Sequence, residues 1–330
     1  MFAWCARGQT VLVETVTMTA AREAVRVYVQ EIGLETGAPT PLATRLPNLA
    51  PAAPLFTSNG DAVITATADS DRGSASIIVG VAPATAEIGN GAWRQLGHSS
   101  SLLAGTIAGS ATAGPRAVVV SAIDDGPLRG HGRIDAWAFS PGPPLAFSET
   151  PATWLLPGVP AAAVTHAAAG WVAVLCRTPS GGTVVHIRDA VRGRVIQERV
   201  PLPRPNEQLE PVALALAADG AALFAVLNDS DAASDTDEGR CWVAALDARS
   251  FAPLVPPVEL PGTVAARDAM VLSGDGACWI ASRSPSAGFA FLHQLVRAGD
   301  HYEIRERQSY SGLSRGLVVA ASSEGASVAV

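Results

Sequence analysis

The stretch GDGACWIAS, residues 274–282, places a polar turn directly before a short apolar run. Asp275-Gly276 is an Asx-Gly pair, which permits the positive φ angles of a tight hairpin turn. The small and apolar residues that follow it are typical of a buried strand. The stretch therefore predicts a β-hairpin whose second strand lies inside the fold.

The same arrangement recurs along the chain at a regular interval. Glycine turns precede apolar runs at positions 8, 60, 114, 170, 220, 276 and 325, which are separated by 52, 54, 56, 50, 56 and 49 residues. Each unit adds a third run, such as CWVAALDA (241–248), and most add a proline-flanked fourth run, such as TWLLPG (153–158) or PPVELPG (256–262). Four short strands in each repeat of about fifty residues are characteristic of β-propeller blades.

We therefore predict an all-β fold, a β-propeller of seven four-stranded blades that forms a single domain over residues 1–330. The last unit stops after its second strand, so we expect that blade to be incomplete at the C-terminus and the chain to be part of a longer one. A pair of β-sandwiches, the competing fold, implies no such period. The expected blade boundaries are 1–50, 51–98, 99–158, 159–206, 207–262, 263–312 and, as a partial blade, 313–330.

Composition and charge exclude several function classes. The net charge is −7, all 23 positive residues are arginine, and no basic stripe is present, which argues against nucleic acid or an anionic membrane as partner. The absence of lysine indicates a GC-rich genome. The uncharged run Leu155–Cys176 is interrupted by two prolines and two glycines, so no membrane span is expected.

The N-terminus and the cysteines bear on compartment. No secretory signal is visible, which favours the cytoplasm if Met1 is the true start and otherwise leaves an extracytoplasmic sensor domain open. The cysteines are Cys5, Cys176, Cys241 and Cys278. None belongs to a CxxC pair, so no structural zinc site is expected. The last three lie in apolar runs, where we expect buried, reduced thiols.

The fifth unit carries a family resemblance. LALAADGAALFAVLN (214–228) and CWVAALDARSFAPLVPPVELPG (241–262) follow a pattern of glycine turn, Leu-Tyr-Val-like strand, Val-x-x-Asp strand and closing strand ending in Gly. This pattern resembles the YVTN-repeat and lactonase-like, WD40-like group of seven-bladed propellers. The resemblance implies the fold, and because the group includes enzymes, sensors and scaffolds it implies little about function.

The richest chemical signal is the loop NDSDAASDTDEGR (228–240), which follows the second strand of the fifth unit. Carboxylates with small spacers can supply the oxygen ligands of a divalent cation such as calcium, although the spacing is not that of an EF-hand. A solvated surface loop and a partner-binding loop remain open alternatives. The candidate metal ligands are Asp229, Asp231, Asp235, Asp237 and Glu238.

Two equivalent loops, ADSDRGS (68–74) and IDDGPLRGHG (123–132), carry mixed charge that suits a protein or peptide partner, with ordinary surface as the alternative. Their candidate ligand-binding residues are Asp69, Asp71, Asp124, Asp125 and His131. No catalytic residue is predicted, because neither a nucleophile elbow nor a metalloprotease motif is present. We therefore expect a non-enzymatic ligand- or protein-binding propeller module, an interaction scaffold or sensor domain. The alternative is a divalent-metal-dependent, lactonase-like hydrolase.

Overall fold

The computed structural model describes most of the strands and many of their connections. For the described residues between 4 and 98 it gives the pairing of the backbone. The described residues are 4–7, 10–18, 24–33, 39–46, 54–56, 63–68, 75–81, 94–98, 101–107, 114–140, 146–201, 209–217, 219–229, 239–264, 270–272, 276–284, 289–299, 301–311, 320–321 and 328–329.

The first three sheets are antiparallel and follow chain order. The first contains β1 (Trp4–Arg7), β2 (Thr10–Met18), β3 (Ala24–Gly33) and β4 (Pro39–Leu46). The second contains β5 (Pro54–Phe56), β6 (Val63–Ala68), β7 (Ala75–Val81) and β8 (Arg94–His98). The third contains β9 (Ser101–Ile107), β10 (Arg116–Ala122), β11 (Gly132–Ser140), β12 (Ala146–Phe147) and β13 (Ala152–Leu156).

The next sheets repeat the same meander. The fourth contains β14 (Val159–His166), β15 (Trp171–Arg177), β16 (Thr183–Asp189) and β17 (Val195–Pro201). The fifth contains β18 (Leu209–Leu216), β19 (Ala222–Asp229), β20 (Arg240–Asp247) and β21 (Val258–Pro261). The sixth contains β22 (Met270–Leu272), β23 (Cys278–Arg283), β24 (Phe289–Ala298) and β25 (His301–Ser311), and β26 (Ala320–Ala321) pairs with β27 (Val328–Ala329).

Among the described residues, Gly114, Gly170, Gly220 and Gly276 lie between the first and second strands of their sheets. Gly170, Gly220 and Gly276 have φ angles of 72°, 70° and 82°, as a tight turn with positive φ requires. The predicted turns at these positions are confirmed. The glycines at positions 8, 60 and 325 lie outside the described residues.

The third sheet departs from the simple meander. Both β12 and β13 pair with β11, so two short strands share the fourth-strand position where the sequence indicated one. The segment between β11 and β13 is rich in proline. Proline donates no ladder hydrogen bond, which accounts for the divided strand.

Two compact units can be distinguished within the chain. Unit 1 comprises Met1–Ala122, Arg133–Trp154 and Ala167–Gly170, and unit 2 comprises Ile123–Gly132, Leu155–His166 and Trp171–Val330. In unit 1, Ala117 and Val119 pack with Phe139, whose ring lies 5.8 Å from that of Phe147. The single-domain prediction and its boundaries remain a prediction.

In unit 2 the fifth sheet is buried on both faces. Alternate residues of β19 enter two different core clusters: Phe224 and Val226 pack towards β23, whereas Leu223 and Leu227 pack towards β15. Side chains of a strand alternate between its faces, so the fourth and sixth sheets cover opposite sides of the fifth. A sheet covered on both faces needs continuous apolar runs, which is what the sequence of these strands shows.

The apolar runs also bury the expected thiols and indoles. Cys176, Cys241 and Cys278 are free and buried. Burial raises the pKa of the Cys176 and Cys241 thiols to about 12 and raises that of Cys278 as well. Three tryptophans of second and third strands, Trp171, Trp242 and Trp279, are buried as the sequence predicted.

Candidate functional site

The second-to-third-strand loops and the connections between sheets meet at one edge of unit 2, because neighbouring strands run antiparallel. Hydrogen bonds join consecutive sheets along this edge. Thr183 Oγ1 donates to the carbonyl of Leu209 at 2.8 Å, and Asn228 Nδ2 donates to the carbonyl of Val264 at 2.8 Å. We call this the loop edge, and the opposite edge, which carries the turns at Asp189–Arg194, Asp219–Gly220 and Asp247–Ala252, the turn edge.

The loop Ile123–His131 is closed by its own backbone. The amide of Ile123 donates to the carbonyl of His131 at 2.9 Å, and the amide of Gly130 donates back to Ile123 at 3.1 Å. A single 3-10 turn, Gly126–Leu128, forms the tip. These bonds give the loop a defined shape, in which residues 124–129 are exposed.

Three of the predicted ligand-binding residues lie on this loop. Asp124 and Asp125 are exposed, and His131 is half-buried. Asp125 precedes the 3-10 turn, but its carboxylate makes no capping hydrogen bond. Leu128 and Arg129, which follow, are exposed as well. The loop therefore presents acidic, apolar and basic groups side by side.

The start of β14 lies against the end of this loop. A Cβ atom added to Gly132 would lie 2.7 Å from Pro160 Cγ and 3.1 Å from the carbonyl oxygen of Gly158. The neighbouring Val159 is exposed and is the register partner of Arg177, also exposed, so their side chains are adjacent across the two strands. We call the exposed residues of the loop and of this strand pair the loop-edge patch: Asp124, Asp125, Leu128, Arg129, Val159 and Arg177.

Two glycines hold the sheet-to-sheet connections close to the strands behind them. Gly158 has a φ of 128°, and a Cβ there would lie 2.7 Å from the carbonyl oxygen of Arg177. Gly262 has a φ of 83°, and a Cβ there would lie 2.8 Å from the carbonyl oxygen of Arg283. Both close a Leu-Pro-Gly sequence, at 156–158 and 260–262. The repeated tripeptide is the signal that could have identified this contact.

A buried polar pair lies behind the second of these connections. Ser282 Oγ donates to the carbonyl of Pro261 at 2.6 Å and lies 3.0 Å from His293 Nε2. Because the Ser282 hydroxyl donates its proton to the carbonyl of Pro261, Nε2–H of the His293 imidazole is the donor to Ser282 Oγ. Both side chains are buried. The pair therefore fastens the junction, and His293, like His186, is a buried residue of a third strand.

Asn228 fastens the same junction from the fifth sheet. Its Nδ2 donates to the carbonyl of Val264, and its Oδ1 accepts from the amide of Val264 at 2.9 Å. The residues are 36 apart in the chain. A side chain that replaces a missing strand pairing in this way leaves no local sequence pattern.

Of the five predicted metal ligands, Asp229 lies in the described part of the chain. It is half-buried at the end of β19, with Oδ2 3.7 Å from Nη2 of Arg240, whose Nη1 lies 3.6 Å from Glu259 Oε1. The described residues contain no group of three His, Cys, Asp or Glu side chains that could hold a metal ion. The remaining predicted ligands, Asp231, Asp235, Asp237 and Glu238, lie outside the described residues, as do Asp69 and Asp71. The metal site remains a prediction.

Acidic residues of the turn edge are engaged by their own turns. Asp247 Oδ1 accepts from the amides of Arg249 and Ser250 and from Ser250 Oγ, at 3.1, 2.7 and 2.8 Å. The hydrogen bonds from Ser250 lower the pKa of the Asp247 carboxyl. Asp189 accepts from the amides of Val191 and Arg192 in the same manner. These carboxylates are parts of the turns.

A further acid that the sequence did not single out lies in unit 1. Asp135 is buried in β11, where its Oδ2 accepts from Arg133 Nε at 2.8 Å and its Oδ1 accepts from Thr153 Oγ1 at 2.7 Å. A buried carboxylate with charged and neutral donors is satisfied. It links β11 to β13 and is structural.

Comparison with known proteins supports the fold. No family model and no curated protein matches the chain. The structure is similar to a chain of a mitotic checkpoint complex, with a TM-score of 0.58 and 12% identity over 99% of this chain and 84% of that chain. It is also similar to an oligogalacturonate lyase in complex with manganese, with a TM-score of 0.51 and 12% identity over 86% of this chain and 71% of that chain.

A prolyl endopeptidase is similar as well, with a TM-score of 0.56 and 14% identity over 94% of this chain. The match spans 42% of the endopeptidase chain. These proteins share propeller-type folds, and together with the four-stranded antiparallel sheets they confirm that the chain is an all-β propeller. At such low identity the likeness shows the fold alone. No helix in the described part of the chain is long and apolar enough to span a membrane.

Proposed function

We propose that this propeller is a non-enzymatic protein-binding module, a scaffold or sensor domain of the YVTN and lactonase-like kind, whose partner docks on the loop-edge patch. The observation that carries the proposal is the pairing of two exposed apolar side chains with charges of both signs. Leu128 is 39% exposed and Val159 is 41% exposed. Asp124 and Asp125 are exposed on the loop that carries Leu128, and Arg177 is exposed opposite Val159.

Apolar side chains ringed by charged ones suit protein recognition. Burial of the apolar groups supplies affinity, while the charges steer the partner and fix its orientation. The loop is held by its own backbone bonds and β14 is paired along its length with β15, so little order has to be gained on binding. A similar propeller chain belongs to a multi-protein mitotic checkpoint complex, which also favours a protein partner.

The test is comparative capture with matched variants. Leu128→Asp and Val159→Asp place charge at exposed positions of the patch, and Ala252→Asp does so at an exposed position of the turn edge. We expect the patch variants to lose, and the turn-edge variant to keep, the same set of captured proteins in quantitative mass spectrometry. All three should melt as the wild-type chain does. Identical capture by all three variants contradicts the proposal.

A metal-dependent, lactonase-like hydrolase is the alternative function. It is favoured by the five acids around loop 228–240 and by the similar lyase that contains manganese. An ion such as calcium that binds the folded state raises the melting temperature with concentration. We expect no shift relative to EDTA with calcium, magnesium, manganese or zinc. A shift that disappears in a variant with Asp231 and Asp235 replaced by Ala favours the hydrolase instead.

A further inference from the structure

A second surface lies on the outer strand of the fourth sheet, away from the loop-edge patch. In the strand order β14-β15-β16-β17, β17 is the last strand, and among the described strands it pairs with β16 alone. Its other edge therefore presents backbone N–H and C=O groups that no described strand uses. Natural proteins usually protect such an edge.

The other outer strands of unit 2 carry recognisable protection. β21 has four residues, is preceded by Pro256 and Pro257, and ends at Pro261. β25 displays exposed Glu303 and Arg305 on either side of Ile304. Short length, proline and charge each discourage the addition of another strand.

β17 has no proline and no charged residue along its first half, where a bulge at Ile196 interrupts its pairing with β16. It has seven residues, with proline at the last position alone, and it begins with two apolar residues that are both exposed, Val195 and Ile196. Arg188 is the register partner of Val195 and donates from Nη2 to the carbonyl of Leu155 at 3.4 Å. Leu155 is exposed too. Val195 and the backbone of Leu155 thus lie beside one guanidinium at the start of β17, where the side chains of Leu155, Val195 and Ile196 are all exposed.

The charge beside these side chains is positive. Arg192 and Arg194 are exposed in the turn that leads into β17. The nearby Asp189 is largely covered, because it accepts two backbone amides of the turn and lies 3.4 Å from Arg194 Nε. The chain as a whole carries a net charge of −7, so this spot differs in sign from the average surface. We call the five residues Leu155, Val195, Ile196, Arg192 and Arg194 the β17 patch.

We infer that β17 accepts an extended segment of a partner protein as a fifth strand, and that this segment carries acidic residues next to apolar ones. Backbone hydrogen bonds to the free edge supply much of the affinity in such strand addition, and side-chain contacts supply the specificity. Aspartate or glutamate meets Arg192 and Arg194, while valine, isoleucine or leucine covers Val195, Ile196 and Leu155.

Selection from a displayed library of random heptapeptides on the immobilised full chain tests this inference. We expect enriched sequences to combine Asp or Glu with Val, Ile or Leu. One enriched peptide is then synthesised, and its Kd is measured on variants. Val195→Asp should weaken binding about tenfold, as the loss of an apolar contact predicts. Joint replacement of Arg192 and Arg194 by Glu should abolish the preference for acidic peptides.

The chain supplies a matched control. Val195 is 45% exposed in β17 and Ile304 is 42% exposed in β25, so Ile304→Asp makes the same chemical change on another outer strand. This variant should bind the peptide as the wild-type chain does. Hydrogen exchange of the β17 amides should slow when the peptide is bound, and a peptide N-methylated on the pairing side should not bind.

Three results overturn the inference. One is the absence of any enriched peptide. Another is an enriched peptide whose Kd is the same on the Val195→Asp and wild-type chains. The third is a concentration-dependent dimer that the Ile196→Asp variant loses in light scattering, because a second copy rather than an acidic segment then occupies the edge. The capture experiment on the loop-edge patch is unaffected by each of these results.

Discussion

The two edges of unit 2 use the same acidic residue type in opposite ways. On the turn edge, Asp189 and Asp247 each accept backbone amides two and three residues further along their own turns. On the loop edge, Asp124 and Asp125 are exposed and form no hydrogen bond or ion pair with another described residue. The turn edge uses these carboxylates in its structure, whereas the loop at 123–131 leaves its two exposed, although Asp229 of the same edge is paired with Arg240.

In a repeat fold, functional residues are therefore expected among the side chains that the fold itself does not use. Turn-edge loops are short and conform to a hydrogen-bonded template, so their polar residues are explained by the fold. Loop-edge connections vary in length and carry exposed apolar and charged side chains that the fold does not require. Each of the following substitutions tests one side of that comparison.

The largest effect is expected at Phe251 on the turn edge. Its φ of 59° is positive, whereas Gly193 holds the equivalent place in the turn of the fourth sheet with a φ of 72°. The buried ring of Phe251 lies 5.7 Å from that of Trp171 at an interplanar angle of 80°. Phe251→Ala should lower the free energy of unfolding by about 4 kcal/mol in urea titrations, because a packed aromatic ring is lost.

The strain at this position can be separated from the packing. Phe251→Gly loses the same ring but adopts a positive φ without a steric penalty, so it should be about 1 kcal/mol more stable than Phe251→Ala. If alanine proves the more stable of the two, the turn does not need a left-handed residue there, and the similarity between the turns at Asp189 and Asp247 fails.

The loop edge should be most sensitive at Gly262. Gly262→Ala places a Cβ 2.8 Å from the carbonyl oxygen of Arg283 and adds a strained φ, and should cost about 3 kcal/mol of unfolding free energy. Gly276 is the control, since its φ of 82° is nearly the same but nothing lies within 4 Å of an added Cβ. Gly276→Ala should cost about 1 kcal/mol. If urea titration shows that Gly262→Ala and Gly276→Ala lose the same free energy of unfolding, the connection at Gly262 is not in close contact with β23.

A smaller difference is expected between acids of the two edges. Asp247→Ala should cost about 1 kcal/mol because the turn loses its side-chain acceptor, whereas Asp125→Ala should change stability by less than about 0.5 kcal/mol. The pKa of Asp247 is lowered in the folded chain. Its contribution is therefore present above its unfolded pKa and is lost as the pH falls through the folded value. The difference in unfolding free energy between Asp247→Ala and Asp125→Ala, measured in urea titrations, should therefore become smaller below about pH 4.

The smallest effect is expected from the buried thiols. Cys176 and Cys241 lie near the loop edge and Cys278 near the turn edge, and all three are buried with raised pKa values. The thiolate is the reactive form, so none should react with iodoacetamide at pH 8 until the chain unfolds. Mass spectrometry of the labelled peptides reports each position. Selective labelling of Cys241 in the native state would show that the loop edge opens locally.

The local sequence was sufficient to predict the strands and turns of the repeat. A glycine turn and two apolar runs act over about a dozen residues, which is the range of hairpin formation, and so the strands flanking Gly170, Gly220 and Gly276 were predicted correctly. Burial of Cys176, Cys241 and Cys278 followed from the same runs. In the third sheet the predicted fourth run at 153–158 corresponds to β13, whereas β12 was missed because a strand of two residues is too short to show a pattern of its own.

The candidate site was predicted in part. Asp124 and Asp125 were chosen from loop composition, and the structure gives them exposed positions on an ordered loop. The apolar members of the patch, Leu128 and Val159, were not chosen, because an apolar residue in a sequence carries no sign of whether it is covered. Val159 begins a strand whose other residues are half-buried or buried, and its exposure depends on where its sheet ends.

The all-β repeat, its period and its turns follow from backbone preferences of neighbouring residues, so they could be predicted from the order of residues alone. Which polar groups are hydrogen-bonded and which remain exposed depends instead on how the sheets pack. Ser282 donates to the carbonyl of Pro261 and is bonded to His293, and Asn228 donates to the carbonyl of Val264, so these hydrogen bonds join one sheet to the next. Asp124 and Asp125 form no such bond with another described residue. The physical reason is that side-chain satisfaction depends on groups brought close by packing, and packing between sheets joins residues that are distant in the chain.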